Sequence, residues 1–185
     1  MKDALSPQSL SWSERLFLRI NALVGVSKPR DSFMYFCAHW LVYLHVAACM
    51  MWAVSTLLRD QSTAFYAWLF LTSVSFVCSL IVSYGIALLW RHNRPVIEFP
   101  NIKSLLTPMF TWKSFPSDHT ITVTVFTLAA GLFSPTPWFL GPLIVSTVLV
   151  PLGRVYVGVH YPRDILGGLT VGILCTMAAY RVLVL

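Results

Sequence analysis

The sequence predicts an all-α protein, a polytopic transmembrane helix bundle. The first observation is composition: 57% of the 185 residues are hydrophobic and 11% are charged, whereas soluble domains average about 45–50% apolar and about 25% charged residues. The second is a series of apolar runs, most of them near the roughly 20 residues that a helix needs to cross a bilayer. The length predicts a single domain, residues 1–185.

Residues 1–32 predict an amphipathic segment that precedes the helix bundle of residues 33–185. Apolar side chains between Trp12 and Val24 recur at helical spacing, while Glu14 and its charged neighbours fall mostly on another face. This pattern favours a helix that lies in the membrane interface over one that spans the bilayer. A helix packed on the bundle would show the same pattern, so both interpretations stay open.

Five apolar runs predict about five membrane-spanning helices. They cover roughly residues 33–58, 64–90, 120–133, 138–156 and 165–185, and the third run can extend through His119. Five spans bring the connections 91–118 and 157–164 to the membrane side that holds the N-terminal helix. We call this side the motif face, because every notable polar cluster of the sequence lies there.

The surplus of basic residues indicates a membrane surface as the partner and not a nucleic acid. The net charge is +6, and the Lys and Arg residues lie between apolar runs, where they meet anionic head groups. All cysteines lie inside apolar runs without Cys-x-x-Cys spacing, which predicts small buried side chains and neither a disulfide nor a metal site. The cysteines are Cys37, Cys49, Cys78 and Cys175.

Three polar clusters meet on the motif face. They are Arg94-Pro95 after the second run, the string Ser-Phe-Pro-Ser-Asp-His at residues 114–119, and Arg154, His160 and Asp164 between the last two runs. Ionisable groups at such depths are costly, and they are candidates for function by default.

The residue types of these clusters suit phosphate chemistry. Arg94 and Arg154 predict an anion with several oxygens, because a guanidinium offers phosphate a planar fork of donors. His119 and His160 predict a nucleophile and an acid, because imidazole changes charge near neutral pH. Asp164, four residues after His160, can accept the second ring N–H and fix the tautomer.

The start of the third span adds a backbone site for an anion. Ser117 and the amides after it lie at a helix start, where N–H groups and the helix dipole favour negative charge. Each residue also has a plain structural interpretation: Arg154 as a helix-end residue, His119 and Asp164 as helix caps. Their occurrence together on one membrane side favours function. His39 and His45, in the first span without a partner motif, are expected to be structural or interfacial.

These motifs resemble the type 2 phosphatidic acid phosphatase superfamily. Its pattern is Lys-x6-Arg-Pro, Pro-Ser-Gly-His and Ser-Arg-x5-His-x3-Asp, and the resemblance covers about residues 64–180. Within the superfamily the chain is most similar to the undecaprenyl-diphosphate phosphatases of the bacitracin-resistance type, which often carry Asp at the position of Asp118. The resemblance implies an enzyme without a metal or other cofactor.

The resemblance also implies a role for each matching residue. His160 is the nucleophile, Asp164 orients it, and His119 protonates the leaving oxygen. The phosphate-binding residues are Arg94, Arg154, Ser117 and Asp118, with the neighbouring amides.

Two positions depart from the family pattern. The family lysine would fall at Ala87 and is absent, so that one cation is missing or comes from elsewhere; Lys113 and Arg91 are candidates by position. The Ser before the family arginine is Gly153, a change expected to cost little.

The sequence therefore predicts a multi-pass protein of the cell membrane that removes a terminal phosphate from a lipid diphosphate, undecaprenyl diphosphate, through a phosphohistidine intermediate. An alternative substrate is a glycerophospholipid phosphate or the 1-phosphate of lipid A. A non-catalytic anion or proton transporter is a second class, but such proteins tend to have inverted repeats, which this sequence lacks.

The side of the membrane that carries the site is predicted in two opposing ways. The resemblance places it outside the cytoplasm. The motif face, however, holds every Lys and Arg except Arg59 and Arg181, and a basic face is typical of the cytoplasmic side.

Overall fold

The computed structural model describes residues 10–59, 62–99, 101–108, 110–133 and 136–184, and their regular structure is helical. The helices of these residues are α1 (Trp12–Asn21), α2 (Lys28–His39), α3 (Leu41–Trp52), α4 (Ser62–Leu89), α5 (Pro95–Glu98), α6 (Asp118–Phe133), α7 (Pro137–Tyr156) and α8 (Pro162–Val184). Helix α3 continues as a π-helical stretch, Ala53–Leu58. The all-α prediction is confirmed.

Within the described ranges, four helical segments are long and apolar enough to cross a membrane, as expected of a multi-pass protein. They are Leu41–Leu58, Thr63–Leu89, Pro137–Tyr156 and Pro162–Leu183. The remaining predicted span, α6, is a shorter apolar helix of 16 residues. It packs against α3, α4, α7 and α8. At about 1.5 Å per residue, α6 is about 24 Å long, less than the roughly 30 Å hydrocarbon core.

The first predicted span, residues 33–58, is divided into two helices. The break lies at Trp40, between α2 and α3, and α2 packs against α7 while α3 packs against both α6 and α7. Hydropathy did not reveal the break because apolar side chains continue through it. Phe33, Phe36 and Trp40 are all exposed on the protein surface.

Helix α1 packs on the bundle, against α7 and α8. A capping box between Ser11 and Glu14 starts the helix, and the buried Phe17 ring contacts the ring of Tyr161 edge-on at 5.3 Å. The apolar side chains of Trp12 and Leu16 stay exposed. Helix α1 therefore combines the two interpretations left open by its pattern, since it is held by the bundle and also offers an apolar surface to lipid.

Glycines allow α8 to lie close to α6. A Cβ atom on Gly168 would be 2.7 Å from the Ser117 carbonyl oxygen, and one on Gly172 would be 3.0 Å from Thr124. The close approach lets the Ser117 amide donate to the backbone carbonyl of Asp164 at 3.0 Å. Two of the three motifs are thereby fixed to each other through the main chain.

Candidate active site

His160 lies in the connection between α7 and α8, with Asp164 in the first turn of α8. The His160 Nδ1 atom is 3.4 Å from Asp164 Oδ2. The same oxygen accepts hydrogen bonds from the Tyr161 amide at 2.8 Å and from Ser114 Oγ at 2.5 Å. Asp164 is fully buried and held in place by these donors. Its carboxylate is therefore positioned to accept a hydrogen bond from the Nδ1–H group of His160.

Arg94 contacts the other nitrogen of the same imidazole ring. Its Nη1 atom is 3.2 Å from His160 Nε2 and donates to the Val159 carbonyl at 3.1 Å, while Nε donates to the Phe110 carbonyl at 2.6 Å. A guanidinium only donates hydrogen bonds, so Nε2 of His160 is the acceptor. The two contacts together assign the proton to Nδ1 and leave the lone pair on Nε2, where a nucleophile needs it.

The surroundings of His160 keep its imidazole neutral. Burial lowers the pKa of His160 from 6.5 to about 4; the hydrogen bond with Asp164 opposes this shift, and the positive charges of Arg94 and Arg154 add to it. Burial also lowers the pKa of Arg94, against the raising effect of nearby carboxylates. Because arginine is not deprotonated in proteins, the guanidinium keeps its charge near pH 7.

Ser117 presents a buried hydroxyl at the start of α6. Its Oγ atom has no hydrogen-bond partner among the described residues, although the side chain is completely buried. Buried polar atoms are almost always paired, so this hydroxyl is available to a bound group. Ser117 lies at a helix start, as the sequence predicted, and its amide also donates to the Asp164 carbonyl.

Arg154 lies in the last turn of α7 and is also buried. Its Nη1 atom donates to the Ala38 carbonyl at 3.2 Å, while its Nε atom has no partner within the described ranges. The guanidinium therefore retains donor capacity for an anion.

His119 borders an apolar cavity between α3 and α6. The cavity has a volume of about 420 Å³, and the His119 ring lies within electrostatic range of His160, Arg94 and Arg154. The cavity is lined by Val42, Tyr43, Val46, Ala47, Asp118, His119 and Thr122. The contribution of α3 was not predicted, because its lining residues belong to an apolar run without a motif.

Asp118 was predicted to bind phosphate, but its carboxylate is engaged with other groups. Oδ1 accepts from Lys113 Nζ at 2.6 Å and from Ser83 Oγ at 2.9 Å. A carboxylate has no hydrogen to donate to a phosphate oxygen. What residue 118 can offer an anion directly is therefore its backbone N–H, while its side chain holds Lys113.

The candidates for the missing cation are now distinguished by location. Ala87 is buried in α4 and Lys113 is 3% exposed, next to Asp118 and the site, whereas Arg91 is exposed. Ser114, to which no individual role was assigned, is also part of the site through Asp164. Its position inside the 114–119 string was the only signal.

His39 and His45, the histidines expected to be structural or interfacial, contact residues outside the three motifs. His45 is buried in the bundle and bonds to Ser146 Oγ at 2.6 Å. His39 packs among aromatic rings, with Trp40 at 4.7 Å and Tyr35 at 5.6 Å between ring centroids. Within the described part of the chain, no group of three or more His, Cys, Asp or Glu side chains could hold a metal ion.

Comparisons with known proteins agree with the motifs. A family model described as the PAP2 superfamily matches residues 66–184, which confirms the resemblance inferred from the sequence. Undecaprenyl-diphosphatase BcrC of Bacillus subtilis (strain 168) is 28% identical over 168 residues, which are 90% of this chain and 81% of that protein.

A second relative aligns with a shorter part of the chain. YbjG of Escherichia coli (strain K12) is 36% identical over 107 residues, 58% of this chain and 52% of that protein. This chain therefore matches about half the length of YbjG. Among solved structures, Aquifex aeolicus LpxE superposes with a TM-score of 0.73 at 18% identity, covering 96% of this chain and 99% of that one. At this identity the likeness concerns the fold.

Proposed function

Because the chain belongs to the PAP2 superfamily, we propose that it hydrolyses the terminal phosphate of a lipid diphosphate, with undecaprenyl diphosphate as substrate. The observation that carries the proposal is the pair of contacts on His160: Asp164 at Nδ1 and Arg94 at Nε2. Such a pair prepares a neutral nucleophile with a phosphate-binding cation beside it.

The proposed reaction begins with attack of His160 Nε2 on the terminal phosphorus. An N–P bond forms while the bond to the bridging oxygen breaks, and His119 gives that oxygen a proton. A phosphohistidine and the lipid monophosphate result. Water then attacks the phosphorus of the phosphohistidine, with His119 accepting its proton. The N–P bond breaks, His160 returns to its neutral form, and inorganic phosphate leaves. Throughout, Arg94, Arg154 and the Ser117 hydroxyl bind the phosphoryl oxygens, which carry the developing charge.

The cavity beside His119 supports a lipid as the leaving group. Its α3 wall is apolar, formed by Val42, Val46 and Ala47. On the same helix Tyr43 and Leu44 are exposed at the surface. A hydrocarbon chain can therefore extend from His119 along α3 towards the bilayer, because each apolar group buried there is favoured by the hydrophobic effect.

The undecaprenyl substrate is taken from the comparisons. BcrC, whose name states this activity, aligns with 90% of the chain. In the Pro-Ser-Gly-His motif of the family, this chain has Asp118 in place of Gly. The undecaprenyl-diphosphate phosphatases that it resembles often have the same Asp. The glycerolipid phosphates and the lipid A 1-phosphate are the competing substrates, and they share the same chemistry at phosphorus.

Phosphate release by the purified protein in detergent tests this proposal. Undecaprenyl diphosphate is compared with phosphatidate and phosphatidylglycerophosphate at equal concentrations, and the diphosphate is expected to be cleaved fastest. Preference for a glycerolipid would assign the protein to the alternative substrate class. Absence of release from every substrate, together with anion flux into proteoliposomes, would indicate a transporter.

The proposed chemistry needs no metal, and this is tested in the same assay. Because His119, His160 and Asp164 perform the proton and phosphoryl transfers, activity is expected to persist in excess EDTA. The control is a sample from which EDTA has been removed by dialysis. Loss of activity that returns on addition of Mg²⁺ would contradict the mechanism.

We also propose that the site faces the outside of the cytoplasmic membrane, as the resemblance implies. The lipid monophosphate and inorganic phosphate are then released on the extracytoplasmic side.

A further inference from the structure

Lys113 is a buried cation for which the reaction described above has no use. Its ammonium donates to Asp118 Oδ1 at 2.6 Å and to the Pro116 carbonyl at 3.3 Å. It also lies 4.6 Å from the centre of the Tyr84 ring. Burial lowers the pKa of Lys113, and the Asp118 carboxylate opposes this shift. Buried ion pairs add little net stability, so the position of this charge calls for another explanation.

The main chain fixes Lys113 beside Arg94. The Ser114 amide donates to the His92 carbonyl at 3.0 Å, and the Arg94 amide donates to the Thr111 carbonyl at 3.3 Å. His92 and Lys113 form a bridge of parallel type between these segments. The pairing keeps two cationic side chains within electrostatic range of each other in spite of their repulsion, as expected where a multiply charged anion binds between or along them.

Helix α4 supplies the hydroxyl and the aromatic ring of this cluster but no cation. Ser83 donates to Asp118, Tyr84 lies against Lys113, and Ala87, one turn beyond Ser83 on the same helical face, is buried and apolar. The positive charge here therefore comes from the connection before α6.

The geometry of the proposed reaction orders the substrate along the site. The terminal phosphoryl group lies at His160, Arg94 and Arg154, and the bridging oxygen lies at His119. The second phosphate, which stays on the lipid, then lies on the cavity side of His119. Asp118 lines this same cavity, and about a third of its side chain is exposed. The Lys113 ammonium contacts the Asp118 carboxylate.

We propose that Lys113 binds the non-transferred phosphate of the diphosphate, and that Asp118 holds the ammonium in place until the substrate enters. This inference rests on the proposed function and deepens it, because it assigns the residue that distinguishes a diphosphate from a phosphate monoester. A charge-assisted hydrogen bond to phosphate contributes roughly 10- to 100-fold in affinity.

The test compares Lys113→Met with Lys113→Arg on farnesyl diphosphate and on p-nitrophenyl phosphate, which lacks a second phosphate. Lys113→Met is expected to raise KM for the diphosphate about 10-fold or more and to change kcat/KM for the monoester less than about twofold. Lys113→Arg retains the charge and should keep most of the preference. Lys103→Met is the matched control, because Lys103 lies in the same connection but bonds to the Val24 carbonyl.

A double variant removes the objection that Lys113→Met leaves the Asp118 carboxylate without its cationic partner. Lys113→Met combined with Asp118→Asn replaces the ion pair by neutral groups, and it should show the same selective loss for the diphosphate. Equal losses on both substrates, or an unchanged diphosphate KM in the double variant, would overturn the inference and leave the pair a purely structural role.

Binding measurements separate this inference from the proposed function. Isothermal titration with inorganic pyrophosphate and with orthophosphate requires no turnover. Lys113→Met is expected to weaken pyrophosphate binding about 10-fold or more and orthophosphate binding by less than about twofold. Selective weakening supports the inference even if the wild-type protein cleaves none of the lipids. Unchanged pyrophosphate binding contradicts it even if the wild type is an active diphosphatase.

Discussion

The two histidines of the site have different surroundings, and these surroundings imply different roles. His160 has a partner on each ring nitrogen and is almost completely buried. His119 lies at the wall of the apolar cavity, where a lipid leaving group would depart. A nucleophile is required whatever group leaves, whereas a general acid matters most for a poor leaving group.

His160→Ala is therefore expected to abolish hydrolysis of both undecaprenyl diphosphate and p-nitrophenyl phosphate. His119→Ala should lose about 10²–10⁴-fold on the lipid but keep much more of the nitrophenyl rate in the step that forms the intermediate. Initial-burst kinetics on both substrates measure this, with circular dichroism to confirm folding. If His160→Ala stays active while His119→Ala is inactive on both substrates, the two roles are reversed.

The pH dependence of phosphoenzyme formation tests the neutral state of His160. Burial lowers its pKa to about 4, so the imidazole stays neutral, and nucleophilic, well below pH 6.5. The burst rate is expected to be insensitive to His160 protonation between pH 5 and 8 and to fall as the pH approaches about 4. A decline in the burst rate below a pKa near 6.5 that persists in His119→Ala, measured with p-nitrophenyl phosphate, would contradict the assignment.

The lowered pKa of His160 also predicts how the stability of the protein depends on pH. A histidine in the unfolded chain has a pKa of about 6.5, which is higher than the pKa of about 4 of folded His160. The unfolded state therefore takes up a proton first. The stability associated with the neutral ring is complete above pH 6.5 and declines as the pH falls towards 4.

Sequence reasoning at the residue scale succeeds where spacing determines contact. Asp164 lies four residues after His160, and this offset predicted the Nδ1 contact that the structure shows. The bond from Ser114 to Asp164 spans 50 residues and depends on how closely α6 and α8 pack. Nothing in the local pattern determines that distance, so the contact could not be predicted.

At the scale of helices, close packing explains Gly153. A Cβ atom there would be 2.7 Å from the Ala38 amide nitrogen and 3.0 Å from the Met34 carbonyl oxygen. The loss of the family serine was expected to cost little. The structure gives a packing reason for the glycine, because the backbone of α2 lies directly against α7 and leaves no room for a side chain at this position.

Gly153→Ser is therefore expected to destabilise the protein by about 1–3 kcal/mol, as typical of overpacking. Gly141→Ser is the matched control in the same helix, since nothing lies within 4 Å of a Cβ added there. Thermal unfolding in detergent measures both. Equal stability of the two variants would show that α2 does not pack on α7 as described.

The helices themselves were largely predictable, and their ends less so. Apolar length predicted three of the four long helical segments to within a few residues, because a helix that crosses the bilayer needs about 20 apolar residues. The break at Trp40 was missed because α2 remains apolar on its outer side. The backbone of α2 lies against α7 at Gly153, and hydropathy carries no information about such tertiary contacts.

At the scale of the whole molecule, three basic residues of the motif face are buried in the protein interior. Arg94, Lys113 and Arg154 belong to the site. Arg30 bonds to the Tyr156 hydroxyl, and Lys103 bonds to the Val24 carbonyl. The rule that basic residues mark the cytoplasmic side describes loop charges that interact with the membrane and its potential. Charges held by the protein count less, which weakens the argument for a cytoplasmic site.

The orientation of the protein can be measured directly with single cysteines at exposed positions. Val26→Cys lies on the motif face and Trp138→Cys on the opposite face, and both wild-type residues are largely exposed, at 70% and 93%. A membrane-impermeant maleimide should label Val26→Cys in intact cells and Trp138→Cys only after permeabilisation, because the site is proposed to face outward. The unsubstituted protein, with its native cysteines in apolar helices, gives the background. The reverse pattern would place the site in the cytoplasm, and phosphate release would then occur on the inner side of the membrane.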